Sequence, residues 1–260
     1  GFISTVDFSL GEEAIPNPEH QTTPESTIVQ EKLYQMVENG CEFAVVESSS
    51  HGLSKRTNRL GDVDFDVGVM MNVTSEHLEF HGTYEQYRDD KANLFENVNL
   101  FGVVNGDDKA SSLFASKTEK PVYSFIKDKT SAKEIFTENY FMTDIKSDAK
   151  GEDFSLEVIN QCDIKKLEDF RIDLPGTFNV YNSTAAAIVV SKLLNITLEE
   201  LKPALKALTP VKGRMTVVDE GQDFEVIVDY AHTPSSFETI FPPLQKRLTE
   251  TTKGKLFVLF

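Results

Sequence analysis

Three side chains whose types could support metal-dependent chemistry lie in one short stretch of the sequence. Glu47 follows the apolar run FAVV, His77 stands in the polar loop after FDVGVMM, and Lys91 lies one predicted helix later. A carboxylate and an imidazole at adjacent strand ends can coordinate Mg²⁺, which takes few protein ligands and is otherwise surrounded by water and phosphate. The residues alone leave an alternative open, in which Glu47 pairs with Lys55 or Arg56 and His77 caps a loop.

Two strands and a helix must bring these side chains together. The runs 43–46 and 67–71 have the continuous apolar character of buried parallel strands, and a polar loop follows each. Ligands bind beyond the carboxyl ends of strands in open α/β sheets, so the two loops are expected to share a site. Residues 84–97 follow a helical pattern that places Lys91 among aromatic and aliphatic residues. Such a lysine either extends its amine to solvent or is held there for a purpose.

The rest of the pattern predicts an α/β fold with a mostly parallel, doubly wound sheet. Residues 133–172 alternate apolar and polar residues, which indicates an antiparallel hairpin layer added to that sheet. Pro210 and KGRM indicate a linker between a domain at 1–209 and a second one at 210–260. Further strands are predicted at 2–6, 101–104, 122–125, 224–228 and 256–260. Further helices are predicted at 24–40 and 197–208, and residues 174–194 are predicted to be a turn that leads into an apolar helix.

The segment TTPES begins the first of these helices. Thr22 or Thr23 can cap it, Pro24 suits its first turn, and Glu25 stands three residues after Thr22, as in a capping box. T197LEE predicts a second capping box. The two threonines of TTPES therefore have a structural explanation beside any role in binding.

Composition excludes several classes of function. With 260 residues, 40% hydrophobic and 26% charged, the chain has the composition of an ordinary globular protein. A formal net charge of −16 argues against nucleic acid as a partner, because phosphate contacts need a basic face. We find no apolar run near the roughly 20 residues of a membrane span, and no signal peptide. Cys41 and Cys162 are isolated, which favours a reducing cytoplasm over a disulfide scaffold.

Two kinds of site fit the sequence poorly. A Ser–His–acid hydrolase could use Ser49, Ser50 and His51, but the G-x-S-x-G elbow is missing and sequence neighbours rarely form the required hydrogen-bond chain. A complete nucleotide site is also not expected, since neither a GxxxxGK[ST] loop nor GxGxxG occurs. The chain begins without methionine and ends within a strand-like run, so we expect it to be part of a longer protein.

Taken together, six motifs resemble those of the Mur ligase family. They are TTPES, ESSSHGL, FDVGVMMNVTSEHLEFHGTYEQYRDDKANLF, LPGTFNVYNSTAAA, KGRM and VDYAHTP, in that order. The resemblance covers nearly the whole chain and is least specific at 126–170. TTPES and SSHGL favour the branch that adds the third amino acid of the peptidoglycan stem peptide.

The resemblance implies an ATP-dependent acid–amino acid ligase that works through an acyl phosphate. Its partners would be a UDP-N-acetylmuramoyl peptide, ATP and an amino acid, with Mg²⁺ as cofactor. Residues 1–209 would be most of the central ATPase domain and 210–260 the start of a Rossmann-like C-terminal domain. The uridine-nucleotide domain and the phosphate loop would lie upstream, so this chain alone is expected to be inactive. We expect a monomer.

The resemblance also implies roles for particular residues. Glu47 and His77 match magnesium ligands, and Lys91 matches a lysine that is carbamylated and so becomes a carboxylate-like ligand. Matching positions hold the muramyl peptide at Thr22, Thr23 and Ser49, and ATP at Asn179, Arg214, Asp229 and His232.

Three positions depart from the family pattern. Lys55 and Thr57 stand where the family has glutamine and arginine, so Lys55, Arg56 or Arg59 must supply the substrate-binding cation. Glu76 replaces an aspartate before His77, and Ser235 replaces an aspartate after DYAHTP. None of these changes removes a predicted metal ligand.

The sequence leaves two alternative functions open. One is a sister ligase, such as an enzyme that extends folate with glutamate or another muramyl-peptide ligase. The other is a non-catalytic module that has kept the fold, against which the retained Glu47, His77 and Lys91 argue. The amino acid that is added cannot be read from this chain.

Overall fold

The computed structural model describes residues 1–18, 21–74, 76–148, 150–160, 163–251 and 254–259, so Cys162 and Phe260 lie outside the described residues. The described strands are β1 Phe2–Ile3, β2 Asp7–Ser9, β3 Ile15–Pro16, β4 Val45–Val46, β5 Phe65–Met70, β6 Val98–Asn105, β7 Val122–Ile126, β8 Glu138–Ser147, β9 Glu152–Asn160, β10 Asp163–Ile172, β11 Thr216–Val218 and β12 Val226–Val228. The described helices are α1 Ser26–Glu38, α2 Ser50–Leu53, α3 Leu78–His81, α4 Tyr84–Glu96, α5 Ser111–Ser116, α6 Thr177–Leu194, α7 Lys202–Lys206 and α8 Pro234–Thr251.

The largest sheet has six strands in the order β10-β9-β8-β7-β6-β5. Strands β5 to β8 pair in parallel, and β9 and β10 extend the sheet by antiparallel pairing. This confirms the mostly parallel sheet with an antiparallel hairpin layer. The predicted strands at 67–71, 101–104 and 122–125 are all present here, each with slightly different ends.

Strand β6 shows why the sheet needs cover on both faces. Val103 and Val104 are neighbours in the strand, so their side chains point to opposite faces, and both are completely buried. Val103 belongs to a cluster that includes Val180 and Ile188 of α6, whereas Val104 packs with residues of α4 and α5, such as Phe95. Continuous apolar runs of this kind are typical of strands buried on both faces. The sheet is therefore doubly wound, as predicted.

Helix α4 is held to the sheet through Phe95, which is fully buried. Its ring lies over Gly68 of β5 and Gly102 of β6, and a Cβ on Gly102 would stand 2.4 Å from Cε1 of Phe95. Glycine is thus required at 102 by the close approach of the ring. Because α4 also carries Lys91, this packing sets the distance between that lysine and the strand ends.

Helix ends agree with the sequence prediction in one of two cases. Thr197 and Glu200 form the predicted capping box, with the Thr197 backbone N–H donating to Glu200 Oε2 and the Glu200 N–H donating to Thr197 Oγ1. The helix after it, α7, begins later than predicted. The prediction that Thr22 or Thr23 caps α1 was wrong: the N-cap residue is Glu25, with no side-chain cap bond. Both threonine hydroxyls are engaged in tertiary hydrogen bonds instead.

The strand that carries Glu47 lies in a different sheet from the strand that precedes His77. β4 pairs in parallel with β1 in a four-stranded sheet of order β3-β2-β1-β4, whereas β5 pairs with β6. The prediction that the two strands are sheet neighbours was therefore wrong. The run 43–46 is also not a buried strand, because Phe43 and Val45 are 50% and 68% exposed. Local hydrophobicity identifies apolar runs but does not specify their partners.

Residues 210–259 contain the antiparallel pair β11–β12 and helix α8. The strand predicted at 224–228 is shorter, and Val228 is 49% exposed rather than buried. Residues 254–259 have no regular secondary structure, so the strand predicted at 256–260 is absent over its described part. The boundary at 209/210 and the Rossmann-like second domain stay predictions. None of the described helices combines the length and the apolar character that crossing a membrane requires.

Candidate functional site

Lys91 is partly buried on the inner side of α4. Its Nζ lies 5.1 Å from the centre of the Tyr87 ring and 3.4 Å from the carbonyl oxygen of Asn72, at the end of β5. Burial lowers the pKa of the amine, while the carboxylates of Glu76 and Asp108 oppose that shift. The lysine predicted to lie among aromatic and aliphatic residues is therefore held there, and a larger fraction of it is neutral than of an exposed lysine.

The loop after β5 is positioned by a carboxylate from the next strand. Asp108, in the loop after β6, accepts hydrogen bonds from the backbone N–H groups of Val73 at 2.8 Å and Ala110 at 2.7 Å. Tyr87 of α4 packs in the same region, and burial, together with the nearby Glu76 carboxylate, raises its pKa to about 12. The Tyr87 hydroxyl thus stays protonated and uncharged beside Lys91.

His77 stands at the N-cap of α3 in a left-handed backbone conformation, with φ 54° and ψ 34°. A non-glycine residue in this region is uncommon, and such residues cluster at functional sites. The His77 ring centre is 6.5 Å from that of Tyr87 and 5.1 Å from that of His51. Burial, followed by the neighbouring His77 and His81, lowers the pKa of His51. His77 and Lys91 therefore both lie beside the Tyr87 ring.

Glu47 is oriented by Thr5, a residue that belongs to none of the six motifs. Its Oε2 accepts hydrogen bonds from the Thr5 backbone N–H at 2.7 Å and from Thr5 Oγ1 at 2.9 Å. Thr5 Oγ1 also lies 2.8 Å from Thr22 Oγ1. Because the single Thr5 hydroxyl proton is donated to Glu47, Thr22 must donate to Thr5. A Ser-Thr pair just after a strand could have identified Thr5 as a possible hydrogen-bond donor. The predicted strand 2–6 included this pair, so Thr5 was assigned to a strand and not to the loop that follows it.

Thr23 fixes the loop that follows β4. The Thr23 side chain is buried, and Oγ1 donates to the Glu47 carbonyl oxygen and accepts from the Ser49 backbone N–H, both at 2.9 Å. Ser49 Oγ in turn caps α2 by accepting from the Gly52 N–H. A Cβ at Gly52 would lie 2.6 Å from a Thr23 methyl carbon, which explains the glycine of SSHGL. The two hydrogen bonds of Thr23 Oγ1 thus anchor the loop that carries Glu47 and Ser49.

The three candidate cations point to different places. Lys55 is exposed and pairs with Glu96 at 3.0 Å. Arg56 Nη1 donates to the Phe80 carbonyl oxygen, and its guanidinium lies over the Phe80 ring. Arg59 reaches the TTPES segment: Nη1 donates to the carbonyl oxygen of Thr23 at 3.0 Å, and its buried Nε has no hydrogen-bond partner. Arg59 is the cation that adjoins the two predicted substrate threonines.

The serine run does not form a hydrolase site with its sequence neighbour. The imidazole bonded to Ser50 is that of His81, not His51, and His81 is bonded in turn to Asp90. All three residues are buried. A nucleophile must be reached by its substrate, so this arrangement does not support the hydrolase alternative.

The residues predicted to contact ATP fall in two places. Asn179 lies in the first turn of α6, where its Nδ2 donates to the Pro175 carbonyl oxygen. Arg214, Asp229 and His232 cluster around Tyr230. The Arg214 guanidinium lies 5.3 Å from the Tyr230 ring centre, Asp229 accepts from the Met215 and Ala231 N–H groups, and His232 Nδ1 is 2.9 Å from the Tyr230 carbonyl oxygen.

The predicted ligands Glu47 and His77 suit Mg²⁺ better than a metal ion whose ligands must all come from the protein. Among the described residues, no three His, Cys, Asp or Glu side chains converge as a metal site. Mg²⁺ requires only one or two protein ligands, because water and phosphate oxygens complete its shell. Oε1 of Glu47 has no hydrogen-bond partner within the described part of the chain, since both bonds from Thr5 go to Oε2.

Comparison with known proteins assigns the family of this chain. Residues 1–190 match the family model for the Mur ligase middle domain. The chain therefore belongs to the Mur ligase family. Over its whole length it is 48% identical to UDP-N-acetylmuramyl-tripeptide synthetase of Treponema denticola and 45% identical to the protein of the same name from Treponema pallidum. It covers 50% and 52% of those two relatives, so it spans about half of their length.

A solved structure supports the same assignment. The structure of a UDP-N-acetylmuramoyl-L-alanyl-D-glutamate–2,6-diaminopimelate ligase superposes with a TM-score of 0.66 at 27% sequence identity. The superposition covers 91% of this chain and 46% of the other.

Proposed function

We propose that the full-length protein that contains this chain is an ATP-dependent ligase that adds the third amino acid to a UDP-N-acetylmuramoyl dipeptide. In this reaction a carboxylate oxygen of the peptide attacks the γ-phosphorus of ATP, and ADP leaves. The nitrogen of the incoming amino acid then attacks the acyl carbon, gives up a proton, and inorganic phosphate leaves. The relatives named as tripeptide synthetases, at 48% and 45% identity, support this step over that of a sister ligase.

The observation that carries the proposal is the environment of Lys91. A carbamate forms when a neutral amine attacks CO₂, and burial lowers the pKa of Lys91 and so favours the neutral amine. The product is a negatively charged, oxygen-bearing group, formed on an amine that lies beside the same Tyr87 ring as His77. A non-catalytic module would have no need to hold a lysine in this desolvated position.

The remaining residues of the site bind Mg²⁺ or the substrates, or they orient the side chains that do so. Glu47, His77 and the Lys91 carbamate would hold Mg²⁺, which when bound supplies positive charge to the phosphoryl oxygens. Thr5 holds the Glu47 carboxylate in one orientation and links it to Thr22. Thr22 Oγ1 can then accept a hydrogen bond from an N–H or O–H group of the muramyl peptide. Thr23 Oγ1 holds the Ser49 backbone N–H through a hydrogen bond.

Arg59 is our choice for the substrate cation. The family arginine is displaced in this chain, and Arg59 is the candidate whose guanidinium reaches the carbonyl oxygen of Thr23. Its Nη2 pairs with Glu25 of TTPES at 2.5 Å, so an anionic group of the peptide substrate would replace that carboxylate as the partner of the guanidinium. Asn179, Arg214, Asp229 and His232 remain the proposed contacts to ATP.

The test uses the full-length protein with UDP-N-acetylmuramoyl dipeptide, ATP, Mg²⁺ and a panel of amino acids that includes lysine and meso-diaminopimelate. Lys91→Ala should abolish ligation, and added short-chain carboxylates should restore part of it. Lys120→Ala, which removes an exposed lysine, is the matched control and should leave the rate unchanged. Incubation with ¹³C-bicarbonate should give a carbamate carbon signal that is missing in the Lys91→Ala variant.

Normal ligation by Lys91→Ala would remove Lys91 from the site. Ligation of glutamate to folate, with none of the muramyl dipeptide, would establish the sister-ligase alternative instead.

A further inference from the structure

The imidazole of His81 is the centre of a buried hydrogen-bond chain that joins three helices. His81 Nδ1 lies 2.7 Å from Asp90 Oδ2 on α4, and His81 Nε2 lies 3.0 Å from Ser50 Oγ at the start of α2. The side chains of His81 and Asp90 are 0% and 5% exposed, and Ser50 is 3% exposed. The proposed chemistry of the ligase uses none of these three groups.

The direction of the hydrogen bonds follows from what each group can donate. A carboxylate only accepts, so Nδ1 of His81 carries the proton that is shared with Asp90. Nε2 accepts from the Ser50 hydroxyl in the neutral imidazole and donates to Ser50 Oγ in the imidazolium, so either form is bonded to both partners. The second oxygen of Asp90, Oδ1, accepts from Gln86 Nε2 at 3.0 Å, so the carboxylate is bonded on both sides.

Each member of the chain stands beside a residue of the proposed active site. Ser50 directly follows Ser49, and Asp90 directly precedes Lys91. His81 ends the helix whose N-cap is His77. A second bond supports the same contact between helices, since Asn93 Nδ2 of α4 donates to the Leu53 carbonyl oxygen of α2 at 2.9 Å. The three helices that carry the substrate-binding serine, the histidine and the lysine are thus tied together at one imidazole.

We infer that Ser50, His81 and Asp90 are positioning residues that set the relative placement of Ser49, His77 and Lys91. The inference rests on the proposed function and adds residues to the same site. Because buried charged hydrogen bonds hold donor and acceptor in one geometry, loss of Asp90 would let α2, α3 and α4 shift against each other. Small shifts of reacting groups cost up to about 100-fold in rate.

The experiment compares Asp90→Leu with Asp89→Leu in the full-length protein. Asp89 is the neighbouring carboxylate on α4, is partly exposed and pairs only with Arg88 among the described residues, so it is a matched control. For folded protein, as judged by thermal unfolding, we measure kcat, the KM for the muramyl dipeptide and the Mg²⁺ concentration at half-maximal rate. Asp90→Leu should lower kcat/KM by about 10- to 100-fold, with a rise in both KM and the Mg²⁺ requirement. Asp89→Leu should leave all three values within about twofold of wild type.

Two further variants separate positioning from simple stability. Ser50→Ala removes a single hydroxyl and should raise the same KM, and the double variant Ser50→Ala/Asp90→Leu should be no worse than Asp90→Leu alone, since both substitutions break one chain. Asp90→Asn, which keeps the shape and one acceptor, should recover most of the activity lost in Asp90→Leu. If Asp90→Leu does not fold, Ser50→Ala and Asp90→Asn carry the test by themselves.

Unchanged KM and Mg²⁺ requirement in folded Asp90→Leu, or strictly additive effects of the two substitutions, would overturn the positioning role. Absence of ligation by the wild-type protein would instead contradict the proposed function. In that case amide hydrogen exchange still tests the coupling: Asp90→Leu should accelerate exchange in α2 and α3, whereas Asp89→Leu should not. Equal exchange in the two variants would refute the inference without any reference to activity.

Discussion

Thr5 provides the sharpest test of how the metal side of the site is organised. Thr5→Val keeps the size of the side chain and removes only its hydroxyl. The variant loses the hydrogen bond from Thr5 Oγ1 to Glu47 Oε2 and the contact with Thr22, while the backbone N–H of Thr5 still donates to Glu47. The carboxylate should therefore become less well oriented, though not free.

The size of the effect follows from the bonds that remain. A hydrogen bond to a charged group contributes about 1.5–3 kcal/mol when it is buried. Glu47 is exposed to solvent, so we expect the lower end or less, about 1 kcal/mol. This corresponds to about a fivefold rise in the Mg²⁺ concentration required for half-maximal ligation.

The assay is a Mg²⁺ titration of ligation by the full-length protein at saturating ATP and muramyl dipeptide. Thr5→Ser restores the hydroxyl and should titrate like the wild type, and Thr27→Val, at an exposed position of α1, controls for loss of a threonine hydroxyl. The KM for the dipeptide should also rise in Thr5→Val, because Thr22 loses its partner. If the Mg²⁺ requirement of Thr5→Val equals that of wild type, Thr5 does not orient Glu47 for metal binding.

Three other predictions concern stability and are tested by unfolding. Burial lowers the pKa of Lys91 below 10.5, so the unfolded chain binds more protons between the two values and wild-type stability rises with pH through that window. Lys91→Met should therefore be more stable than wild type at pH 7 in CO₂-free buffer, with the difference shrinking toward pH 10.5 in urea titrations; a constant difference would contradict the buried charge. Gly102→Ala places a Cβ 2.4 Å from the Phe95 ring and should cost about 1–3 kcal/mol, seen as a lower Tm, whereas an unchanged Tm would mean that α4 can move away. Thr197→Ala removes a capping-box hydroxyl and should cost about 1 kcal/mol, with Thr27→Ala as the comparison that should be neutral.

The sequence predicted most of the local structure around the site. Strands β5, β6 and β7 and helix α4 lie where short apolar runs and a helical pattern placed them, and the hairpin layer of β8 to β10 follows from alternation. Such patterns are readable because burial of a strand or a helix face imposes a period of about 2 or 3.6 on the chain itself. Ordered motifs also identified the family, which the match over residues 1–190 confirms.

Predictions about partners fared less well, because a pattern does not state what an element packs against. Thr22 and Thr23 have the right types and positions to cap α1, yet their hydroxyls bond to Thr5 and to the loop that carries Glu47. The choice between a local cap and a distant partner depends on which groups the fold brings within reach. Local propensity is overridden where a tertiary partner is better placed.

The sequence alone thus determined the main strands and helices around the site, the family and the candidates Glu47, His77 and Lys91. Only the tertiary structure decided that β4 pairs with β1 and not with β5, that Thr5 holds Glu47 from 42 residues away, and that His81 and not His51 is bonded to Ser50 across 31 residues. Hydrophobic periodicity is a property of neighbouring residues, whereas these contacts join chain segments whose separation carries no local signal. They form only when packing of the helices and strands brings these distant groups within hydrogen-bonding distance.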